Sequence, residues 1–212
     1  MQKSDQTIKP TQDNGSQIDT LHAILTFLRR AEALKHTYRS AWTSTGEPES
    51  VAAHTWRLAL MVLVLAPQLP KVDLLRLLKI CLIHDLGEAI NGDIPAIDQT
   101  DGPEKALQER RDLLTLLDPL PTDLRAELLA LWEEYEAAAS PEARLAKGLD
   151  KLETLIQHNQ GDNPPDFDYA FNLGYGRRYT QAPPLIAELR RLVDADTRAR
   201  AETPAAGSLP GR

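Results

Sequence analysis

Among the 212 residues, His54, His84, Asp85 and Asp150 are the side chains best suited to bind a divalent metal ion. Imidazole and carboxylate together suit a borderline or hard cation such as Mn, Co, Mg, Ni, Fe or Zn. On an octahedral ion, four protein ligands leave two positions, enough for a water and a substrate oxygen. His84 and Asp85 are adjacent and follow the apolar run Cys81-Leu82-Ile83. Consecutive helical residues project about 100° apart, so the two reach one ion only at a helix end or a distortion. Gly87 and the Asn91-Gly92 turn are consistent with such an end. Glu88 lies one turn on, at i+4 from His84 and i+3 from Asp85, and so shares their face. Each residue alone has a plainer reading. His54 alone is a surface or satisfied core histidine. Glu88 alone is a solvated charge, slightly unfavourable at a helix C-terminus. Asp150 alone is a surface carboxylate paired with Lys147 or Lys151. Together, placed behind apolar runs where charge is costly unless paired or metal-bound, they define a candidate site.

Periodicity and caps place these residues on helices. Residues 1 to about 17 are polar and read as a disordered lead-in. A helix is expected from Asp19 or Thr20, apolar at Leu21, Ile24, Leu25 and Leu28, with Ile18 packing back as a staple. A loop from His36 to Pro48 carries Arg39, Trp42 and Gly46. Ser50 caps a helix over 51–65 that holds His54 in its first turn. The next helix, from about Val72 to Ala89, delivers His84, Asp85 and Glu88 at its C-terminal end, before the turn Asn91-Gly92-Asp93. Pro103 and Pro121-Thr122 open two further helices, to Leu117 and to about Ala139. Ser140-Pro141 is a helix start, cap followed by Pro at the first position. That helix carries Asp150 to about Gln160. Residues 161–181 read as loop with one short helix. A last helix runs from Pro184 to about Glu202, before a disordered tail over 203–212. The fold class expected is all-α, a single helical domain over 18–202, with no convincing strand.

Composition narrows the function classes. A formal charge of -7 argues against a general polyanion binder, because nucleic-acid domains present a basic face. It leaves room for a small phosphorylated substrate held by a metal and one or two cations. The single cysteine, Cys81, cannot form an internal disulfide, which fits a reducing, cytoplasmic setting. Met1 to Gln17 has no apolar core of a secretory signal. The longest apolar run, Leu58 to Ala66, is too short to span a bilayer, so no membrane association is expected.

The order H…HD…D resembles the HD-domain metal-dependent phosphohydrolases. The segments Pro48-Glu49-Ser50-Val51-Ala52-Ala53-His54, His84 to Pro95 (HDLGEAINGDIP) and Leu131-Trp132-Glu133-Glu134-Tyr135-Glu136 sharpen the likeness. They are similar to the YfbR-like 5′-deoxynucleotidases, in the branch called HD domain-containing protein two, over roughly residues 20 to 200. The resemblance implies an all-helical HD domain, commonly a homodimer, that hydrolyses deoxynucleoside 5′-monophosphates to deoxynucleoside and phosphate. It implies His54, His84, Asp85 and Asp150 as metal ligands and Glu88 as the catalytic acidic residue. Asp93 would be a second carboxylate beside substrate and water. Arg39, fifteen residues before His54, falls where the family places a phosphate-contacting arginine. The chain departs from the pattern at Ser40, where well-studied members have Trp; the nearby aromatic is Trp42. Asn91 stands where some members have Thr. Trp42 and Asn91 are thus the expected nucleoside neighbours.

In that chemistry Glu88 positions the attacking water or protonates the leaving 5′ oxygen, and the sequence leaves both open. Other HD chemistries fit less well. Guanosine tetraphosphate hydrolases carry an acidic pair where Glu88 is followed by Ala89. Dinuclear HD oxygenases need further histidines, and none lies between Glu88 and Asp150. Cyclic-dinucleotide phosphodiesterases need a Gly-Tyr-Pro signature after the HD. A nucleotide-binding regulatory module without catalysis is the reading from another class. Trp132 and Tyr135 read as core aromatics, Lys147 as a phosphate neighbour or an ion-pair partner, and Arg177-Arg178 as a loop surface, with an approach to the pocket as the alternative.

Overall fold

A computed structural model describes residues 14–93 and 103–202. The disorder expected over residues 1–17 falls outside these for 1–13 and is corrected for 14–17, which open a helix; the expected tail over 203–212 and the Ile94-Pro95 end of the motif also lie outside. Local chemistry sets the helix starts. Ser50 Oγ accepts from the Ala53 amide at 3.2 Å and opens α2 (Val51–Leu65). Asp73 Oδ1 accepts from Arg76 at 3.0 Å and opens α3 (Leu74–Ile83). Ser140 Oγ accepts from Ala143 at 3.0 Å, with Pro141 in the first turn, and opens α7 (Pro141–Gln160). Each such cap contributes about 1 kcal/mol. The remaining helices are α1 (Asn14–Ala31), α4 (Glu88–Asn91), α5 (Pro103–Leu117), α6 (Thr122–Glu136), α8 (Tyr169–Gly174), α9 (Arg177–Thr180) and α10 (Pro184–Glu202).

α7 is the axis of the fold. It packs against α2, α3, α6, α9 and α10, and Leu149, Leu152 and Leu155 on it are fully buried. Around it lie Leu58 and Val62 of α2, Leu77 and Ile80 of α3, and Leu113 and Leu117 of α5. Gly148 lets α9 lie directly on α7: a Cβ there would sit 2.8 Å from the Tyr179 carbonyl oxygen. The fold is all-α, as the sequence implies.

Four details differ from the sequence reading. α1 starts at Asn14, so Ile18 lies inside the helix and half-exposed rather than stapling its entry. Leu21, Leu25 and Leu28 face outward, and Ile24 and Phe27 make the core contact. Two apolar stripes run along this helix, and periodicity alone does not say which one is covered. The loop before α2 contains an antiparallel ribbon, β1 (Tyr38–Trp42) and β2 (Pro48–Ser50), pairing Tyr38 with Ser50 and Trp42 with Pro48. Gly46, at φ 80, makes its turn. Arg39, Ser40 and Glu49 interrupt the apolar alternation that would have announced these strands. Residues 161–181 form two short helices, not one.

The fourth detail concerns the site. The helix expected to reach Ala89 stops at Ile83. The chain then continues through three-residue turns, Leu86 N to Ile83 O at 3.0 Å and Glu88 N to Asp85 O at 3.1 Å. This is the helix-end distortion that adjacent ligands require. Gly87 lets this segment lie close on α5, because a Cβ there would sit 3.0 Å from the Glu109 carbonyl oxygen.

Candidate metal centre

The site is assembled on α7 from three directions. α2 brings His54, the end of α3 brings His84 and Asp85, and α7 itself brings Asp150. His84 Nε2 lies 3.0 Å from Asp85 Oδ2 and 3.9 Å from Asp150 Oδ1. His54 Nε2 lies 3.7 Å from Asp85 Oδ2 and 3.3 Å from Asp150 Oδ1. Donors about 2.1 Å from one ion sit about 3 Å apart at right angles and about 4.2 Å apart in trans. All four separations fall in that interval. Both Nε2 atoms are buried and have no hydrogen-bond partner among the described residues, a costly state unless a cation faces them. His54, His84 and Asp85 bring their ligand atoms within 4.8 Å of one another, the spacing a single divalent ion needs, and Asp150 Oδ1 faces both histidines; Glu49, His54 and Glu153 form a second such group on the other side of the His54 ring.

The opposite sides of these side chains are occupied. His84 Nδ1 donates to the Cys81 carbonyl at 2.9 Å, which leaves the Nε2 lone pair for a ligand. His54 Nδ1 is hydrogen-bonded to Glu153 Oε2. Asp150 turns Oδ2 away from the histidines, to the Tyr135 hydroxyl at 2.8 Å and Lys151 Nζ at 2.9 Å. Burial opposes the Asp150 charge, but Lys151, then His54 and His84, hold its carboxyl well below the usual range. Burial likewise opposes Asp85, and His84 followed by His54 brings it down to about 2. Burial and the Arg39 charge depress the His54 imidazole; Glu153 and the Asp150 oxygen beside the ring outweigh them and raise it to about 9.

His84, Asp85 and Asp150 lie on the wall of a cavity of about 610 Å³ that Arg39, Glu88, Asp93 and Lys105 also line, with His54 buried behind them. Glu88 Oε2 is buried and without a hydrogen-bond partner among the described residues. Burial first, then the Asp85 and Asp93 charges, push its carboxyl up to about 10 against the pull of Arg39. Burial also raises Asp93. Arg39 donates from one terminal nitrogen to Thr154 Oγ1 at 2.9 Å, and its other lies 3.7 Å from Glu153 and 3.8 Å from Glu49.

Two expected nucleoside neighbours are placed elsewhere. The Trp42 ring packs edge-on against Phe167, with centroids 6.3 Å apart, while Arg39, Ser40 and Ala41 of the same strand line the cavity. Asn91 donates to Asp112 Oδ1 at 2.7 Å and is exposed. Neither lines the cavity. Arg177 and Arg178, expected on a loop surface, do line it, since Gly148 and Gly176 bring their segment onto α7. Lys147 pairs with Glu136 at 3.1 Å on the same wall.

Glu153 and Tyr135 are the residues whose roles the sequence reading missed; Lys151 pairs with Asp150 as the plainer reading of that residue had it. Glu153 lies at i+3 from Asp150, and that spacing on one helix face was the available signal. For Tyr135 there was none, because its ring is a core aromatic and only the hydroxyl reaches the site.

The HD domain family model matches residues 31–190. The chain is 37% identical over 140 residues to the human 5′-deoxynucleotidase HDDC2, covering 65% of this chain and 68% of that protein. It is 35% identical over 141 residues to the 5′-deoxynucleotidase hdd1 of Schizosaccharomyces pombe, covering 64% and 70%. The crystal structure of a predicted metal-dependent phosphohydrolase from Magnetospirillum magnetotacticum superposes with a TM-score of 0.76 at 30% identity, covering 88% of this chain and 97% of that one. The fold is that of a metal-dependent phosphohydrolase, with a histidine and aspartate cluster suited to a divalent ion. The chain belongs to the HD domain family.

Proposed function

We propose that the chain hydrolyses deoxynucleoside 5′-monophosphates to deoxynucleoside and phosphate, as a metal-dependent 5′-deoxynucleotidase. The observation that carries the reading is the pair of buried, unpartnered imidazole nitrogens facing Asp85 and Asp150 beside a cavity walled by Arg39 and Glu88. The relatives named 5′-deoxynucleotidase support the substrate class.

His54, His84, Asp85 and Asp150 would hold one divalent ion, with Mn, Co or Mg fitting the donor set best. When bound, such an ion neutralises phosphoryl charge and eases deprotonation of water. The remaining work falls to the chain. Arg39 presents a fixed cation to the phosphate, oriented by Thr154 and by Glu153 and Glu49 behind it. Glu88 handles the proton at the attacking water or at the leaving 5′ oxygen. Asp93 stands beside Glu88 on the wall and orients it or the water.

The test is a phosphate-release panel of deoxy- and ribonucleoside 5′-monophosphates with Mn, Co and Mg. Release from the deoxy substrates, abolished by a chelator and restored by metal, is the expected outcome. Absence of turnover on every member with every metal would overturn the reading.

The partners we propose are the nucleotide substrate and a second copy of the chain, with no membrane and no nucleic-acid polymer, in a cytoplasmic setting. Support for a homodimer comes from a continuous apolar face over α1, α2 and α3, including Leu25, Leu28, Trp56, Leu63 and Leu82, each about half exposed or more. Stretches of this size on a soluble surface mark an interface. Sedimentation equilibrium should give twice the 23.6 kDa chain mass, and Leu63→Glu should shift it towards the single chain.

A further inference from the structure

We infer that Glu153 is a positioning residue: it fixes the orientation and tautomer of His54 so that Nε2 faces the metal. The inference rests on the metal site proposed above and concerns a residue outside its ligand set.

The argument starts from α7. Asp150 and Glu153 are three residues apart and share one helix face. They meet opposite sides of the same imidazole. Asp150 Oδ1 is 3.3 Å from His54 Nε2, and Glu153 Oε2 is hydrogen-bonded to Nδ1. The ring is thus held between two carboxylates one helical turn apart. In the neutral ring that a metal requires, an acceptor-only carboxylate at Nδ1 keeps the proton there and leaves the lone pair on Nε2.

Glu153 is itself immobilised. It has no solvent exposure. Its second oxygen accepts from Arg57 Nε at 2.6 Å, and Arg57 is anchored in turn on Gln160 at 3.1 Å. Arg57 is three residues after His54 on α2, so the ligand and the clamp of its orienting partner come from one helix face. Arg39 lies 3.7 Å from the oxygen that holds His54. A buried carboxylate with two arginine counter-charges is expensive to assemble without a use. Here it links the ligand histidine to the arginine on the cavity wall. The other histidine reaches the same tautomer with a backbone carbonyl, that of Cys81. The Cys81 carbonyl is among the last four of α3, which lack an intrahelical donor, whereas the Val51 carbonyl three residues before His54 belongs to the first turn of α2 and serves that helix; a side chain from α7 supplies the acceptor instead.

The test combines metal affinity with a direct view of the ring. Mn titration calorimetry on metal-free wild type and E153Q should show a 10–100-fold loss of affinity in the variant, the usual effect of removing such a partner. In ¹⁵N-labelled wild type loaded with Zn, His54 should carry its proton on Nδ1 and bind metal through Nε2. Affinity in E153Q within twofold of wild type, or metal on Nδ1, overturns the inference. If E153Q does not fold, the wild-type spectrum decides alone. The metal-free melting temperature of E153Q separates the two kinds of loss: unchanged melting with weakened binding supports positioning, and binding that falls only in proportion to unfolded protein overturns it. Wild type that binds no Mn or Zn would sink the metal site itself; wild type that binds while E153Q binds equally sinks only the role of Glu153.

Discussion

Glu88→Gln is expected to lower kcat for phosphate release by about 10²–10⁴-fold, the range a positioned proton-transfer group contributes. KM should move little, and Mn affinity should stay near wild type. The substitution keeps volume and shape, so the wall of the cavity and the packing of α4 on α5 are preserved. It removes only the capacity to give or take a proton. Glu88 opens α4, directly after the turn that ends the ligand segment, and its Oε2 is buried without a partner among the described residues. A buried carboxyl that no neighbour satisfies is poorly explained by structure. It is well explained by a substrate or water that completes it. The measurement is steady-state phosphate release with calorimetric Mn titration on the same preparations. A variant with wild-type kcat would remove Glu88 from the mechanism. A variant that loses Mn binding in step with kcat would make it a ligand instead.

How much of this was legible before the structure depends on how local each signal is. Ser50, Asp73 and Ser140 act on amides three residues away, so helix starts followed from sequence. The cluster of candidate ligands was readable because His84-Asp85 beside an apolar run has few structural explanations, and the structure brings His54 and Asp150 to the same place. The break between Ile83 and Glu88 was required by ligand geometry before it was seen, since two adjacent side chains cannot face one ion from a regular helix. What sequence missed is set by long-range contact. Glu153 meets His54 from 99 residues away, and the Tyr135 hydroxyl reaches Asp150 across two helices. Trp42 and Asn91 were nominated by their place along the chain; the Phe167 and Asp112 contacts hold both aside. The outward stripe of α1 had the right period but no partner within one chain to reveal its direction.

Asp150→Ala is expected to weaken Mn affinity by at least about 100-fold, beyond what loss of an outer partner costs. Phosphate release at micromolar Mn should fall in step. Asp150 spends its two oxygens differently, and the two losses can be told apart. Oδ1 faces both imidazoles, so its removal takes one of four donors from the ion. Oδ2 accepts from Tyr135 and pairs with Lys151. Lys151 Nζ is near enough to solvent, with its side chain 24% exposed, for water to replace the lost partner. The buried Tyr135 hydroxyl has no such recourse, and leaving it unsatisfied costs about 1–3 kcal/mol. For a chain of this size each kcal/mol lowers Tm by about 2–4 °C, so metal-free Asp150→Ala should melt several degrees below wild type. Asp150→Asn separates the effects. Its amide oxygen can still accept from Tyr135, so Tm should recover, while the lost charge keeps Mn affinity low. If Asp150→Asn binds Mn as tightly as wild type, Asp150 is a support for Tyr135 and Lys151, and the fourth ligand must be sought elsewhere on the cavity wall.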